Sequence, residues 1–516
     1  MLRLKKQTLA LAGILMGMLF VAVSCDKKEP QYATPAISVN GASNVELAPG
    51  ETAEIKLTLS GDGGAKSVVV NKNGGFLREF PVHATAREFI YTTDPVPAGL
   101  EEGAEIKYSF ILVNKNGIDS PETPVAIKVA LYGKITVGTT ELYNLNVGTD
   151  GIVLSGQHVK LVAGRNYFVP AALTFEAGSS LTIEEGVQVY MNADAPDAVG
   201  IEIAGEADIA GTADNPVVIT SSKLLSDASS VVAGDWGRFA LTGTGASSNN
   251  GKVSYLRLEY GGDRAFRLSG VGAATRIDHI QVYRSTGEGF MITDGNVQLQ
   301  YLVATDCRGG SYRLGDKYEG KMQFVVSVSS ERFAENDDFA IREDAAPVIS
   351  NVTLLGPGES VANTHGMRMR ANAAPKVYNA VIAGFPRRGL RAQDNVAITD
   401  LSGTAVFAYS YIFNVKTDPY RDLASAFAGT FDAGGNRTAN PFFNNATAKS
   451  GKNFVLESIA GIGVNDFIPD AEKTSDFNPK TLDAFFSDAP FAGAVKNEAG
   501  DWTKGWVKNP DGSIRK

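Results

Sequence analysis

The chain has 516 residues, 20% of them charged and 44% hydrophobic, with 55 glycines and a net charge of −9. That length holds two or three domains. The acidic balance excludes a general nucleic-acid binder, and two cysteines exclude a disulfide-built scaffold.

The N-terminus sets the address. Arg3, Lys5 and Lys6 precede an apolar run over Leu9–Val23, and Ala22-Val23-Ser24 places small residues directly before Cys25. This pattern predicts a bacterial lipoprotein signal peptide over residues 1–24, with Cys25 as the lipidated first residue of the mature chain. The apolar run is at the short limit for a membrane-spanning helix and stops at this cysteine. Residues 25–32 then form a solvated tether, and the acyl anchor makes the lipid bilayer a partner. Cys307 is left without a disulfide partner and reads as a small core or corner residue.

Residues 33–131 alternate in polarity over short runs such as Ala53–Leu59, Ser67–Val70, Ile106–Phe110 and Val125–Val129. Pro49-Gly50, Asp62-Gly63-Gly64 and Asn116-Gly117 separate the runs. Six or seven strands at that spacing predict an immunoglobulin-like β-sandwich, here held by its core alone and placed as a spacer behind the anchor.

From about Glu141 the strands shorten to three or four residues, and glycine corners separate them. From Val253 an apolar tract recurs: Val253–Leu258, Ile277–Val282, Leu299–Ala304, Met322–Val326, Ile349–Leu354 and Val377–Ile382. Two stretches are near copies 28 residues apart, Asp338–Pro347 and Gly366–Pro375, with Asn351 and Asn379 continuing the echo. Such repeats without helical periodicity predict the coils of a parallel β-helix, right-handed by the usual crossover preference, over residues 141–440. The inward face of Met322–Val328 is ambiguous, because both sides of that strand are apolar. Open coil ends expose strand edges. Residues 141–170 are expected to cover one end and a C-terminal cap over 441–516 the other, with Thr481–Phe486 as a short helix or plug. Trp502 and Trp506 are expected to close that cap, and Trp236 to pack rather than to stack on a sugar. The fold class is therefore all-β: a sandwich, then a β-helix, then a cap.

Several stretches together carry a family resemblance: Leu181–Gly186, Gly234-Asp235-Trp236-Gly237, Leu256–Gly262, Gly289-Phe290, Ile349–Pro357, Ala383–Pro386 and Asp501–Trp506. In this order, from about residue 150 to 510, they resemble a group of β-helix outer-membrane lipoproteins of the Bacteroidetes. That resemblance implies fold and address, an outer-membrane and cell-surface location, and a partner in TonB-dependent nutrient uptake. It implies no agreed activity. Where relatives carry a run of aspartates, this chain has Arg308–Asp316, so no Ca²⁺ role carries over.

Three kinds of chemistry are legible. Asp337-Asp338, His365-Gly366 and Arg387-Arg388 occur in an order that polygalacturonase-like β-helices use, and a carboxylate pair can protonate a leaving oxygen and activate water. Asp337, Asp338 and His365 are thus the catalytic candidates of a glycosidase reading. Arg368, Arg370 and Arg391 are candidate bases of a polysaccharide lyase. The Asn-Thr-Asp element of polygalacturonases is missing, and the 28-residue repeat assigns these positions to corners. The third and favoured reading is non-enzymatic. Arg342, Arg368, Arg370, Arg387, Arg388 and Arg391 form a basic stretch in an acidic chain, and Arg342 and Arg370 occupy equivalent repeat positions, so they should stack. Guanidinium groups in a column suit the carboxylates of an anionic glycan. Four scattered histidines give no metal signature, and no cofactor motif occurs.

Overall fold

The computed structural model describes residues 32–148, 150–330, 336–358, 364–396, 398, 403–416, 418–421, 454–455, 457–463 and 466–516. The expected signal peptide, Cys25 and the expected tether up to residue 31 lie outside the described residues. No helix among the described residues is long and apolar enough to cross a membrane.

The chain divides into two compact units, residues up to Ala98 with Glu105–Lys128, and Gly99–Ala104 with Val129–Lys516. In the first unit a three-stranded and a five-stranded antiparallel sheet face one another. Alternation places Ile55, Leu57 and Leu59 of one sheet inward, and Val68, Val70, Tyr108 and Phe110 of the other. Tyr91 bridges them, with ring centroids 5.6 Å from both Tyr108 and Phe110. Two strands, Gly75–Pro81 and Glu88–Thr92, escape sequence reading. The first of them keeps no inward alternation: it pairs on one side only and leaves Phe76 exposed.

The second unit is a parallel β-helix of three walls. The first two walls begin as separate short strands, such as Ser180–Ile183 and Gln188–Met191. From Gly251–Glu259 onward one longer strand serves both, because it pairs with Glu206–Ala210 through its first half and with Val217–Ser221 through its second. The bend within each long strand falls on a residue with left-handed backbone: Tyr255, His279, Tyr301, Phe324, Asn351 and Asn379, and Tyr409 does the same between the short strands Val406–Ala408 and Ser410–Phe413; all have φ between 49° and 59°. Side chains other than glycine rarely adopt this conformation. Here the rings recover the cost by stacking, with centroids 4.1 Å apart for Tyr255–His279, 4.3 Å for His279–Tyr301 and 4.9 Å for Tyr301–Phe324.

Register follows the recurrent tract of the sequence. Val253, Ile277, Leu299, Met322, Ile349 and Val377 are successive partners and fill the interior. The third wall is a parallel sheet that has eleven strands among the described residues, from Ile152–Val153 to Asp418–Arg421. Its inward column includes Phe239, Phe266, Phe290, Tyr312, Phe339 and Met367. Residues 141–170 are themselves early coil strands rather than a separate cover: Thr140–Asn144 pairs with Tyr167–Val169, and His158–Leu161 with Ser180–Ile183.

The described part of the C-terminal segment lies along the coils, not across their end. Phe477 stacks on Tyr378, Phe491 on Phe324, Trp502 packs edge-on against Tyr301 and Trp506 against Tyr255, so this strap runs back from late coils to early ones. Side-chain amides hold its backbone. Asn379 and Asn351 donate to the carbonyls of Phe477 and Phe491 at 3.1 and 2.8 Å, and Gln281 both donates to and accepts from the Lys508 backbone. Beneath it lie Val303, Val326, Val328, Leu355 and Val381, which face outward from the second wall and pack on Phe467, Ile468, Val495 and Trp506. This resolves the ambiguous strand: both faces of Met322–Val328 are buried. The expected Thr481–Phe486 helix is a single tight turn over Pro479–Thr481, with Phe486 buried after it.

Trp506 is fully buried and its indole N–H donates to the Trp502 carbonyl at 2.9 Å. Trp506→Ala is therefore expected to lower unfolding stability by about 3–5 kcal/mol, measured by chemical denaturation. Parent-like stability would mean the strap is an appendage rather than part of the core.

Candidate functional site

On the third wall successive outward positions stack into a column: Thr174, Glu202, Ala240, Arg267, Met291, Arg313, Ala340, Arg368, Arg391 and Arg421 are register partners in turn. Parallel strands set neighbouring coils about 4.8 Å apart, so guanidinium groups on consecutive coils are held at close range. A second short column stands beside it. Ile341 pairs with Met369, and Arg342 and Arg370 follow these residues directly, so the expected stacking of Arg342 on Arg370 is present.

The positive charge is only partly compensated. Arg313 reaches Glu288 at 3.5 Å and Glu343 at 3.2 Å, and Arg342 lies 3.7 Å from each of the same two carboxylates. The side chains of Arg370 and Arg391 make no hydrogen bond or ion pair among the described residues. Burial, with Arg313 and Arg370 alongside, holds Arg342 below the ordinary arginine value despite Glu343. Burial, with Arg368 and Arg387, does the same to Arg391. The Nε atoms of Arg267, Arg313 and Arg342 are buried without a hydrogen-bond partner.

Asp337, His365 and Arg388 form a column next to this one. They lie within strands of the wall, not at corners. Arg388 donates to His365 Nε2 at 3.0 Å, which leaves the ring proton on Nδ1, 2.9 Å from Asp337 Oδ1. Arg368 reaches both oxygens of Asp337, at 3.2 and 3.0 Å, and its Nε donates to Gln393 at 2.6 Å. Burial raises the Asp337 carboxyl, but His365 and Arg368 outweigh it and leave the pKa below its ordinary value. Burial lowers that of His365, and the neighbouring Arg388 and Arg391 reinforce this against Asp337. The result is an ionised carboxylate holding a neutral imidazole and a guanidinium. Arg388, 4% exposed, is spent on His365 and leaves the ligand set. Arg387 stands half-buried just before the strand.

Asp338 points the other way. Its carboxyl is inside the coil, where Ser311 donates to Oδ1 at 2.7 Å and Ser329 at 3.3 Å, and Oδ2 has no partner. Two adjacent carboxylates on opposite sides of a wall cannot share one glycosidic bond, which removes the Asp337/Asp338 pair as a glycosidase site. Cys307 is also interior, with its thiol pushed up to about 12 by burial, and is a core residue.

A family model described as a pectate-lyase-like β-helix domain matches residues 152–453, more than half of the chain. The chain belongs to this family. A pectate-lyase-like β-helix is compatible with a polysaccharide-interacting protein. No curated protein matches the chain. Among solved structures, fibronectin(III)-like modules of Clostridium thermocellum CbhA are similar at 18% identity, covering 18% of this chain and 95% of that one, with a TM-score of 0.14. No cluster of three metal-ligating side chains occurs among the described residues of this β-helix.

Arg267, Arg313 and Gln393 belong to the site and are absent from the residues singled out in the sequence. A signal for the arginines exists in the triplets Phe266-Arg267-Leu268, Tyr312-Arg313-Leu314, Met367-Arg368-Met369 and Leu390-Arg391-Ala392. Each is an outward arginine between two inward apolar residues.

Burial raises the Asp338 pKa from 3.8 to about 6. Between those values the unfolded chain releases a proton that the folded one keeps, so this group's contribution to stability is full below pH 3.8 and is lost as pH rises through 6. Asp338→Asn should match the parent at pH 3.5 and exceed it by up to about 3 kcal/mol at pH 7.5, measured by denaturant titration. An equal difference at both pH values would place the carboxyl outside the interior.

Proposed function

We propose that this β-helix is a non-enzymatic binding protein that presents its third wall to an anionic glycan. The observation that carries the reading is the pair of only partly compensated guanidinium columns, above all the side chains of Arg370 and Arg391 beside the partly paired Arg342, Arg313 and Arg368. Each guanidinium there raises the cost of charging its neighbours, and a row of carboxylates laid along the coils would relieve all of them at once. One coil rises by about the length of one sugar residue, so a polymer can meet successive arginines in step. Arg368 is oriented for this by Asp337 and Gln393, and Asp337 is itself fixed by His365.

The remaining features complete the proposal. The signal-like N-terminus supports lipidation at Cys25 and an outer-membrane, surface-facing location. The antiparallel first unit acts as an immunoglobulin-like spacer, and the helix winds right-handed. By its resemblance to Bacteroidetes lipoproteins, the protein would hand captured glycan to a TonB-dependent transporter.

Arg370→Ala combined with Arg391→Ala breaks no hydrogen bond or ion pair among the described residues, so folding should be kept. Retention on immobilised polygalacturonate is expected to fall at least about tenfold, and parent retention should weaken with salt. Unchanged retention by the double variant would reject the wall as the binding surface. Release of unsaturated uronate products during the same incubation would replace the binding reading with a lyase.

A further inference from the structure

The same wall carries a second feature with different chemistry. At the early coils, ahead of the arginines, a cleft of about 580 Å³ opens over Thr174, Glu202, Arg238 and Asp263. That volume lies within the range of small-molecule sites. One side of the cleft is the end of the crossover between Val217–Ser221 and Phe239–Thr242, which includes Gly234-Asp235-Trp236-Gly237. Gly234, Trp236 and Gly237 of this motif line the cleft. Asp235 is buried and accepts from Ser221 Oγ at 2.7 Å, Lys223 Nζ at 2.8 Å and the Val232 amide at 3.2 Å. The Trp236 indole is wholly buried and donates to the Glu259 carbonyl at 2.6 Å, which matches its expected packing role. Gly234, at φ +93°, supplies the left-handed turn that brings the crossover down. The cleft wall is thus fixed before any ligand arrives.

Its polar groups select among ligand classes. Arg238 Nε donates to Glu202 Oε1 at 2.9 Å, and the Glu202 and Asp263 carboxylates are each about half exposed. No hydrogen bond is made by the terminal nitrogens of Arg238 among the described residues. Asp263 is itself paired with Arg264 Nε at 3.3 Å, so the two carboxylates are matched by two guanidiniums and no net positive charge is left to hold an anion. Among the described residues no cluster of three metal-ligating side chains stands here to hold a metal ion. An apolar ligand would leave charged groups without partners. A ligand whose neighbouring hydroxyls both donate and accept satisfies every group.

We infer that this cleft binds a neutral saccharide unit, a site separate in ligand chemistry from the arginine columns. The inference goes beyond the anionic-wall reading and does not depend on it.

The test is calorimetric titration of the full protein with cellohexaose, xylohexaose, mannohexaose and maltohexaose, with polygalacturonate as the contrasting probe. At least one neutral hexaose should bind the parent. Thr174→Trp, which fills the cleft from an exposed strand position, should abolish that binding, and Glu202→Gln should weaken it at least about tenfold. Polygalacturonate binding should survive both changes. Absence of binding by all four hexaoses, or equal binding by parent and Thr174→Trp, would overturn the inference. Loss of polygalacturonate binding in Thr174→Trp would show the two sites to be one and also overturn it.

Discussion

Hydrogen bonds between the backbones of successive coils govern the second unit. Because each strand pairs in parallel with the strand one coil away, a residue's neighbours are set by register rather than by sequence distance. A step of 28 residues places His365 on Asp337 and Met367 on Phe339, and a step of 23 places Arg391 on Arg368. Changes in crossover length are absorbed between strands, so the columns continue through unequal coils. The interior ring stack and the exterior arginines are two sides of one constraint, since alternation along a strand sends Tyr312 inward and Arg313 outward.

The three walls are not equivalent. The second wall is apolar on its outer face, and the strap is the reason that composition is tolerated: Val326, Leu355 and Val381 are covered by the chain's own C-terminal residues. Its hydrogen bonds to Gln281, Gln300, Gln323, Asn351 and Asn379 tie five successive coils to one segment. The asparagines at left-handed corners thereby serve twice, because they tolerate the backbone and their amides reach the strap. The third wall instead carries charge on its outer face, which is where a polar polymer can be met.

Much of this was legible in the sequence, for identifiable reasons. Interior register from Val253 to Val377 could be read because apolar alternation recurs at every coil. The stack of Arg342 on Arg370 followed from the near-copy of two coils. What could not be read were contacts that join residues far apart without repeating, such as Trp506 on Tyr255 or Gln281 on Lys508. Asp337 and Asp338 were indistinguishable as neighbours in sequence. Only the pocket formed by Ser311, Ser327 and Ser329 draws one of them inside. Gly75–Pro81 was missed because all its residues but Phe80 are exposed, which leaves no period to detect.

The use of arginine on the third wall is itself informative. A lysine column would place compact, strongly hydrated charges at coil spacing and give each a flexible stem on which to move away from the next. Arginine stays charged when crowded and partly buried, and its planar group lets one edge engage an intramolecular partner while the other faces out. Arg368 is in this position, since Asp337 takes one of its terminal nitrogens and Gln393 its Nε. The carboxylate nearest the column is in turn neutralised by Arg368 and fixed by a histidine that Arg388 keeps unprotonated at Nε2. An acidic protein that stacks arginines at this density, and secures the acid beside Arg368 from behind, has the surface on which we propose that an anionic chain binds.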